Sequence, residues 1–231
     1  MKINTIFNPT ANGPLHIGHL YCLLVNLAET TRDGTCICIF NDISDVFIQK
    51  MGYQKMREYG KQAQDDLDWM GLSPVYDWMS NYSHLLRQAK TYDMLSLEER
   101  CLIKNKAKTI PRNDQLSPYI AYETAFKTLI HKEYNINLRI CACDLITEYH
   151  LYCHFCILNN YNIPETWFIP RLISNDRELY DISKSSCNHK ISDYRSQGYT
   201  PKDIIELLKR SCLINTELGF RLNNIKQRPS L

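Results

Sequence analysis

No stretch of the chain approaches the length needed to cross a bilayer. The longest apolar runs, Tyr21 to Val25 and Cys36 to Phe40, fall far below the ~20 residues that span the hydrocarbon core, so a soluble protein is expected. An excess of charge is missing too. Lys plus Arg total 27 against 25 Asp plus Glu, a formal net charge of +2, which excludes a protein devoted to wrapping polyanions and leaves room only for a local basic patch. Met1 to Phe7 has no charged segment leading into a long apolar run, so no secretory leader is expected. The 10 cysteines then read as reduced thiols of a cytoplasmic protein rather than a disulfide framework. Internal repeats, Gly/Ser linkers and low-complexity tracts are absent, which excludes repeat arrays and loosely tethered modules.

What remains is 231 residues, 44% of them hydrophobic and 23% charged, enough for one globular unit or two small ones with a core that needs neither metal nor disulfides. Ile3 to Phe7 reads as a strand that stops at the turn formers Asn8 to Pro14, and a helical pattern follows from Ile17 to about Glu29. Thr35 to Phe40 is β-rich and almost wholly apolar, as expected of a parallel strand buried on both faces. Asp45 to Met70 predicts one helix ended by Gly71-Leu72-Ser73-Pro74, and Tyr82 to Met94 a second.

Glu98 to Gln115 is irregular and carries Arg100, Lys104, Lys106, Lys108 and Arg112. Such a run reads first as a solvated face, with a phosphate-contacting patch as the rival. Asn137 to Cys143 predicts a strand, Leu145 to Leu158 a helix and Trp167 to Ile173 a further strand. Thr200-Pro201-Lys202-Asp203 combines an N-cap, a proline at the first helical position and an acid at the third, starting a helix of about Lys202 to Ser211. The order of elements describes an α/β fold with an insertion.

Two short segments carry the chemistry. His16-Ile17-Gly18-His19 falls where the first strand's loop feeds a helix N-terminus, the crevice in which doubly wound sheets bind ligands. Helix amides favour phosphate there, two imidazoles can donate to its oxygens, and Gly18 leaves room for a flat base. Far downstream, Asp181-Ile182-Ser183-Lys184-Ser185 places a lysine between two serines, suited to neutralise charge that develops on a leaving pyrophosphate.

Together, Pro14 to His19 and Ile182 to Ser185 resemble the two motifs of class I aminoacyl-tRNA synthetases, with glutamyl-tRNA synthetase as the nearest likeness. Asn8-Pro9-Thr10, the helix end Asp65 to Leu72 and the segment Ile191 to Pro201 are similar to further stretches of that family. The resemblance covers the catalytic portion, and the family's anticodon-binding region is not represented in it. It implies a Rossmann-like doubly wound parallel sheet with an inserted acceptor-binding subdomain and a C-terminal helical segment. The halves of the core would be residues 1–75 and 136–195, the insertion 76–135 and the helical tail 196–231.

The implied reaction is a ligase's adenylation: a carboxylate attacks the α-phosphate of ATP, with Mg²⁺ as companion, and the acyl group passes from the adenylate to an acceptor. His16 and His19 would contact phosphates, Gly18 would lie under the adenine, and Lys184 would stabilise pyrophosphate, with Ser183, Ser185 and Asp144 completing the ATP site. Asn8, Thr10 and Tyr119 (or Tyr122) are the expected substrate contacts. Asp42 is expected to grip a substrate ammonium, with Asp45 second and helix N-cap acids as the competing reading.

Departures from the family narrow the substrate. Its two carboxylate-binding arginines correspond to Asn4 and Cys141, which makes glutamate a poor fit, although Arg139 stands two positions from the second. Asp181 replaces the lysine that usually opens the lysine loop. Cys141, Cys143, Cys153 and Cys156 read as buried thiols rather than zinc ligands, because their spacing matches no standard zinc site. Three readings follow: acylation of a tRNA through its acceptor end, transfer of the same adenylate to a small amine or carrier, and a nucleotide-binding paralogue without turnover.

Overall fold

The computed structural model describes residues 2–72, 74–85, 118–142, 145–169 and 189–212. Five strands, β1 (Thr5–Phe7), β2 (Cys36–Phe40), β3 (Val75–Trp78), β4 (Leu138–Ala142) and β5 (Glu165–Ile169), form one sheet in the order β3-β2-β1-β4-β5. Every pairing is parallel. The chain therefore winds outward from β1 twice, once in each direction, and the reversal between β1 and β4 opens the crevice where such sheets take ligands.

Alternation along the strands sends side chains to opposite helical layers. Phe7, Cys36, Cys38, Phe40, Leu138 and Ile140 face the layer built from α1 (Ile17–Glu29), α3 (Tyr53–Trp69) and α7 (Pro201–Cys212). Ile6, Ile37 and Ile39 face the other layer, formed by a 3₁₀ segment (Met79–Leu85), α4 (Pro118–Glu133) and α5 (Ile146–Leu158). β2 is buried at all five positions, as its unbroken apolar run predicts. A short helix, α6 (Ile191–Ser196), follows the second half of the sheet.

The expected helix over Asp45 to Met70 is two helices. α2 (Asp45–Met51) ends where the Gly52 amide bonds the Ile48 carbonyl at 2.8 Å, and Gly52 adopts φ +85° before α3 begins, a backbone state that glycine reaches at little cost. The stop at Gly71 is as expected, with φ +71° and the Leu72 amide returning to the Leu67 carbonyl.

Past it, the sequence pattern missed β3 entirely. This edge strand is four residues long, and its first residue, Val75, is exposed. The expected helix from Tyr82 is 3₁₀ through Leu85, and residues 86–117, which hold the basic run, lie outside the described set. β5 starts two residues before its predicted Trp167. The Thr200–Asp203 capping box is present, the Asp203 Oδ2 accepting from the Thr200 amide at 2.8 Å. No helix among the described residues is long and apolar enough to cross a membrane.

Candidate active site at the carboxyl ends of the strands

Parallel pairing continues past β1 and β2 into the loop between β1 and α1. The Asn41 amide donates to the Pro9 carbonyl at 2.9 Å and the Ala11 amide to the Asn41 carbonyl at 3.0 Å, so Thr10 pairs with Asn41. Asn8 donates its side-chain amide to the Ile39 carbonyl, while its Oδ1 is buried without a hydrogen-bond partner. A buried acceptor left open beside a ligand crevice marks a place where a donor is wanted. Asn8 and Thr10 thus stand on the paired loop that leads from β1 to His16.

His16 is the N-cap of α1. Its Nδ1 accepts from the Gly18 amide at 3.1 Å, and the His19 Nδ1 accepts from the His16 amide at 3.3 Å, a reciprocal capping box made of two imidazoles. The rings lie 3.7 Å apart between centroids with a 34° tilt. With both Nδ1 atoms accepting, the neutral tautomer of each ring carries its proton on Nε2, which makes that nitrogen a donor.

One expectation needs correction here. The first amides of α1 are already satisfied: Ile17 donates to the His189 carbonyl at 3.0 Å, Gly18 to His16, and His19 and Leu20 to the His16 carbonyl at 2.9 and 3.2 Å. A phosphate at this helix end would therefore meet imidazole N–H groups and the helix dipole rather than open backbone amides.

The downstream segment reaches the same place. Ile17 and Ile191 exchange amide bonds with His189 and Leu15, the latter at 3.1 Å, and His16 pairs antiparallel with Lys190. Ser183, Lys184, Ser185 and Asp181 lie outside the described residues, as do Asp144 and Cys143.

Asp42 does not do what its position suggested. Its carboxylate is fully buried, and four donors surround it: Arg57 Nη1 at 3.1 Å and Tyr53 Oη at 3.2 Å on Oδ2, Ser80 Oγ at 2.7 Å also on Oδ2, and the Ser80 amide at 3.0 Å on Oδ1. Arg57 in turn stacks on Trp78 at 3.7 Å. This acid clamps α3 and the 3₁₀ segment to the end of β2, and with three donors on Oδ2, one on Oδ1 and no exposed surface it is committed to the fold rather than presented to a substrate ammonium. Asp45 heads α2, but its side chain is outside the described set, as are those of Tyr119 and Tyr122 on α4.

Asn4 is likewise misplaced as a substrate contact. It precedes β1, at the amino end of the sheet, where its side chain bonds the Asn135 carbonyl at 3.2 Å and the Thr35 amide at 3.1 Å. Cys141 lies near the carboxyl end of β4, buried, and burial pushes its thiol up. Two positions earlier, Arg139 is buried with its guanidinium 3.8 Å from the Tyr152 ring and its Nη1 unpartnered. Burial also pushes the Cys156 thiol up to about 11, and among the described residues no three His, Cys, Asp or Glu side chains are grouped to hold a metal.

A residue that sequence reasoning missed is Glu123. It projects from α4, and its Oε2 accepts from Asn41 Nδ2 at 3.0 Å. Lys127, one turn on, pairs with Glu148 of α5 at 3.1 Å. The Glu123–Lys127 spacing was a usable helix signal, but nothing in the sequence tied it to Asn41, 82 residues away. A cavity of about 570 Å³ lies elsewhere, at the amino ends of β4 and β5 beside His131, Asn137, Tyr152 and Asn162, and none of the expected site residues lines it.

Comparison with known proteins agrees with this geometry. Residues 2–109 match the family model of class I tRNA synthetases (E and Q), catalytic domain. Over 105 residues the chain is 30% identical to glutamine–tRNA ligase of Saccharomyces cerevisiae (strain ATCC 204508 / S288c), covering 45% of this chain but only 11% of that protein. Two solved structures share the fold. Glutamate-tRNA synthetase from Elizabethkingia anophelis matches with a TM-score of 0.61 at 12% identity, over 99% of this chain and 67% of its own. Tyrosyl-tRNA synthetase from Archaeoglobus fulgidus, crystallised with L-tyrosine, matches with a TM-score of 0.59 at 15% identity, over 80% and 59%.

Proposed function

We propose, from the match of residues 2–109 to the class I tRNA synthetase catalytic domain, that this chain activates an amino acid with ATP and passes the acyl group to a tRNA acceptor end. The observation that carries the reading is the join between the first motif and the segment behind the second. Leu15 to Ile17 and His189 to Ile191 share two backbone bonds at the N-terminus of α1. Lys184 is five residues from His189 in sequence, a span of at most about 18 Å when extended, and we assign its amine to the same phosphates as the imidazole pair.

The amino acid's carboxylate attacks the α-phosphorus, the bond to the bridging oxygen of the β-phosphate breaks, and pyrophosphate leaves. His16 and His19 donate from Nε2 to phosphate oxygens, held in position by the backbone bonds on their Nδ1 atoms. Lys184 neutralises the leaving group. Magnesium, arriving with ATP, supplies further charge for the triphosphate.

Of the two positions that correspond to the family's carboxylate-binding arginines, Asn4 lies at the amino end of the sheet and Cys141, neutral and buried, lies near the carboxyl end of β4, which favours a substrate without a side-chain carboxylate. The test is ATP–pyrophosphate exchange screened across the amino acids, with and without total tRNA. Exchange with at least one amino acid is the expected result, and its absence with all of them in both conditions would refute the proposal.

A further inference from the structure

An ammonium group buried against protein needs a carboxylate with an open valence. Among the described acids near the carboxyl ends of the strands, Asp42 is fully buried under four donors and Glu148 is held by Lys127 with both side chains 15% exposed. Glu123 differs. One oxygen accepts from Asn41, the other takes no bond among the described residues, and the side chain is half-buried.

Building on the amino acid activation proposed above, we propose that Glu123 receives the α-ammonium group of the amino acid. Its Oε2 is held by Asn41, and Asn41 is itself fixed. Asn41 is fully buried, its Oδ1 accepts from the Ile43 amide at 3.2 Å, and its main chain bonds Pro9 and Ala11 in the loop that leads to His16. The Nδ2 that holds Glu123 is therefore aimed by the end of β2 and the β1–α1 loop together.

A neutral amide orients this carboxylate without cancelling its charge, and the nearest cation on the same face of α4, Lys127, is neutralised by Glu148. The charge of Glu123 is thus left for a ligand. In this chain the acid for the ammonium comes from α4, in contact with Asn41 at the end of β2, rather than from Asp42.

The experiment is amino-acid-dependent pyrophosphate exchange by the full chain and by Glu123→Gln, with the amino acid of highest exchange and its α-hydroxy analogue as competitor. Glu123→Gln is expected to raise KM for the amino acid by about ten- to a hundredfold, to leave KM for ATP within about twofold, and to lose the wild-type preference for the amine over the hydroxy analogue. Glu123→Asp keeps the charge and is expected to retain that preference. An unchanged KM in Glu123→Gln, or a loss of preference in Glu123→Asp as complete as in Gln, overturns the assignment while leaving amino acid activation standing. Wild-type chain that is stabilised by ATP yet exchanges with no amino acid overturns both.

Discussion

Replacing Asp42 by alanine separates a structural clamp from a substrate contact. The substitution removes the acceptor of four hydrogen bonds and leaves Arg57 and the Ser80 amide without their partner. Deleting one member of a buried ion pair costs about 3–5 kcal/mol. Arg57 is 31% exposed and Tyr53 45% exposed, so both regain water, which puts the expected loss at the low end, about 3 kcal/mol. For a chain of this size that corresponds to a fall in Tm of roughly 6–12 °C.

Urea and thermal unfolding of Asp42→Ala, Arg57→Met and the double variant would give a coupling of about 1–2 kcal/mol between the two side chains. The Arg57–Trp78 stacking is lost in both arms that lack Arg57 and so cancels. A variant that melts like the wild type but shows a raised KM for the amino acid would refute the reasoning and return Asp42 to the substrate.

Two further outcomes follow from the same layers. An alanine Cβ at Gly60 would lie 2.2 Å from the Trp78 ring, which is itself held under Arg57; overpacking of about 1–3 kcal/mol outweighs a helix-propensity gain of about 1 kcal/mol. Net destabilisation in urea is expected for Gly60→Ala, and a gain would show that Trp78 moves freely. Asp66 is buried on α3 with Oδ2 unpartnered, and desolvation pushes its carboxyl up to about 6, only partly opposed by Arg195.

The folded state thus binds this proton more tightly than the unfolded one, so its stabilising effect is full below about pH 4 and is lost as the pH rises through about 6. Asp66→Asn is therefore expected to be more stable than the wild type at pH 7.5, by on the order of 1–2 kcal/mol, with the gap closing by pH 4.5. A gap of equal size at both pH values would contradict the assignment.

Elements that bury one continuous face were legible from the sequence. The apolar run of β2, the leucines of α1 and the capping box of α7 each carry their own local signal. β3 escaped because an edge strand of four residues shows no alternation long enough to read. α4 escaped as a core helix because Thr124, Thr128 and His131 are buried among its apolar residues, and polar residues on the inner face erase the contrast that marks an amphipathic helix.

At the site, His16 and His19 were legible because their partners are two and three residues away. Asp42 and Glu123 were not. Their roles depend on Ser80 and Asn41, 38 and 82 residues distant, and only the fold decides which acid is sealed and which is open.

β1 lies at the centre of the sheet and draws its neighbours from both halves of the chain: β2 begins 31 residues after it, β4 133 residues after it. The stretch that matches the family model, residues 2–109, therefore contains the middle strand and only one of its two partners. Expressed alone, it would present the β4-facing backbone of Thr5 and Ile6 to solvent as a raw edge, the kind of surface on which strands of neighbouring molecules add. The stretch that matches the family model thus leaves one side of its own central strand unpaired, and the strand that closes it, β4, comes from the second half of the chain.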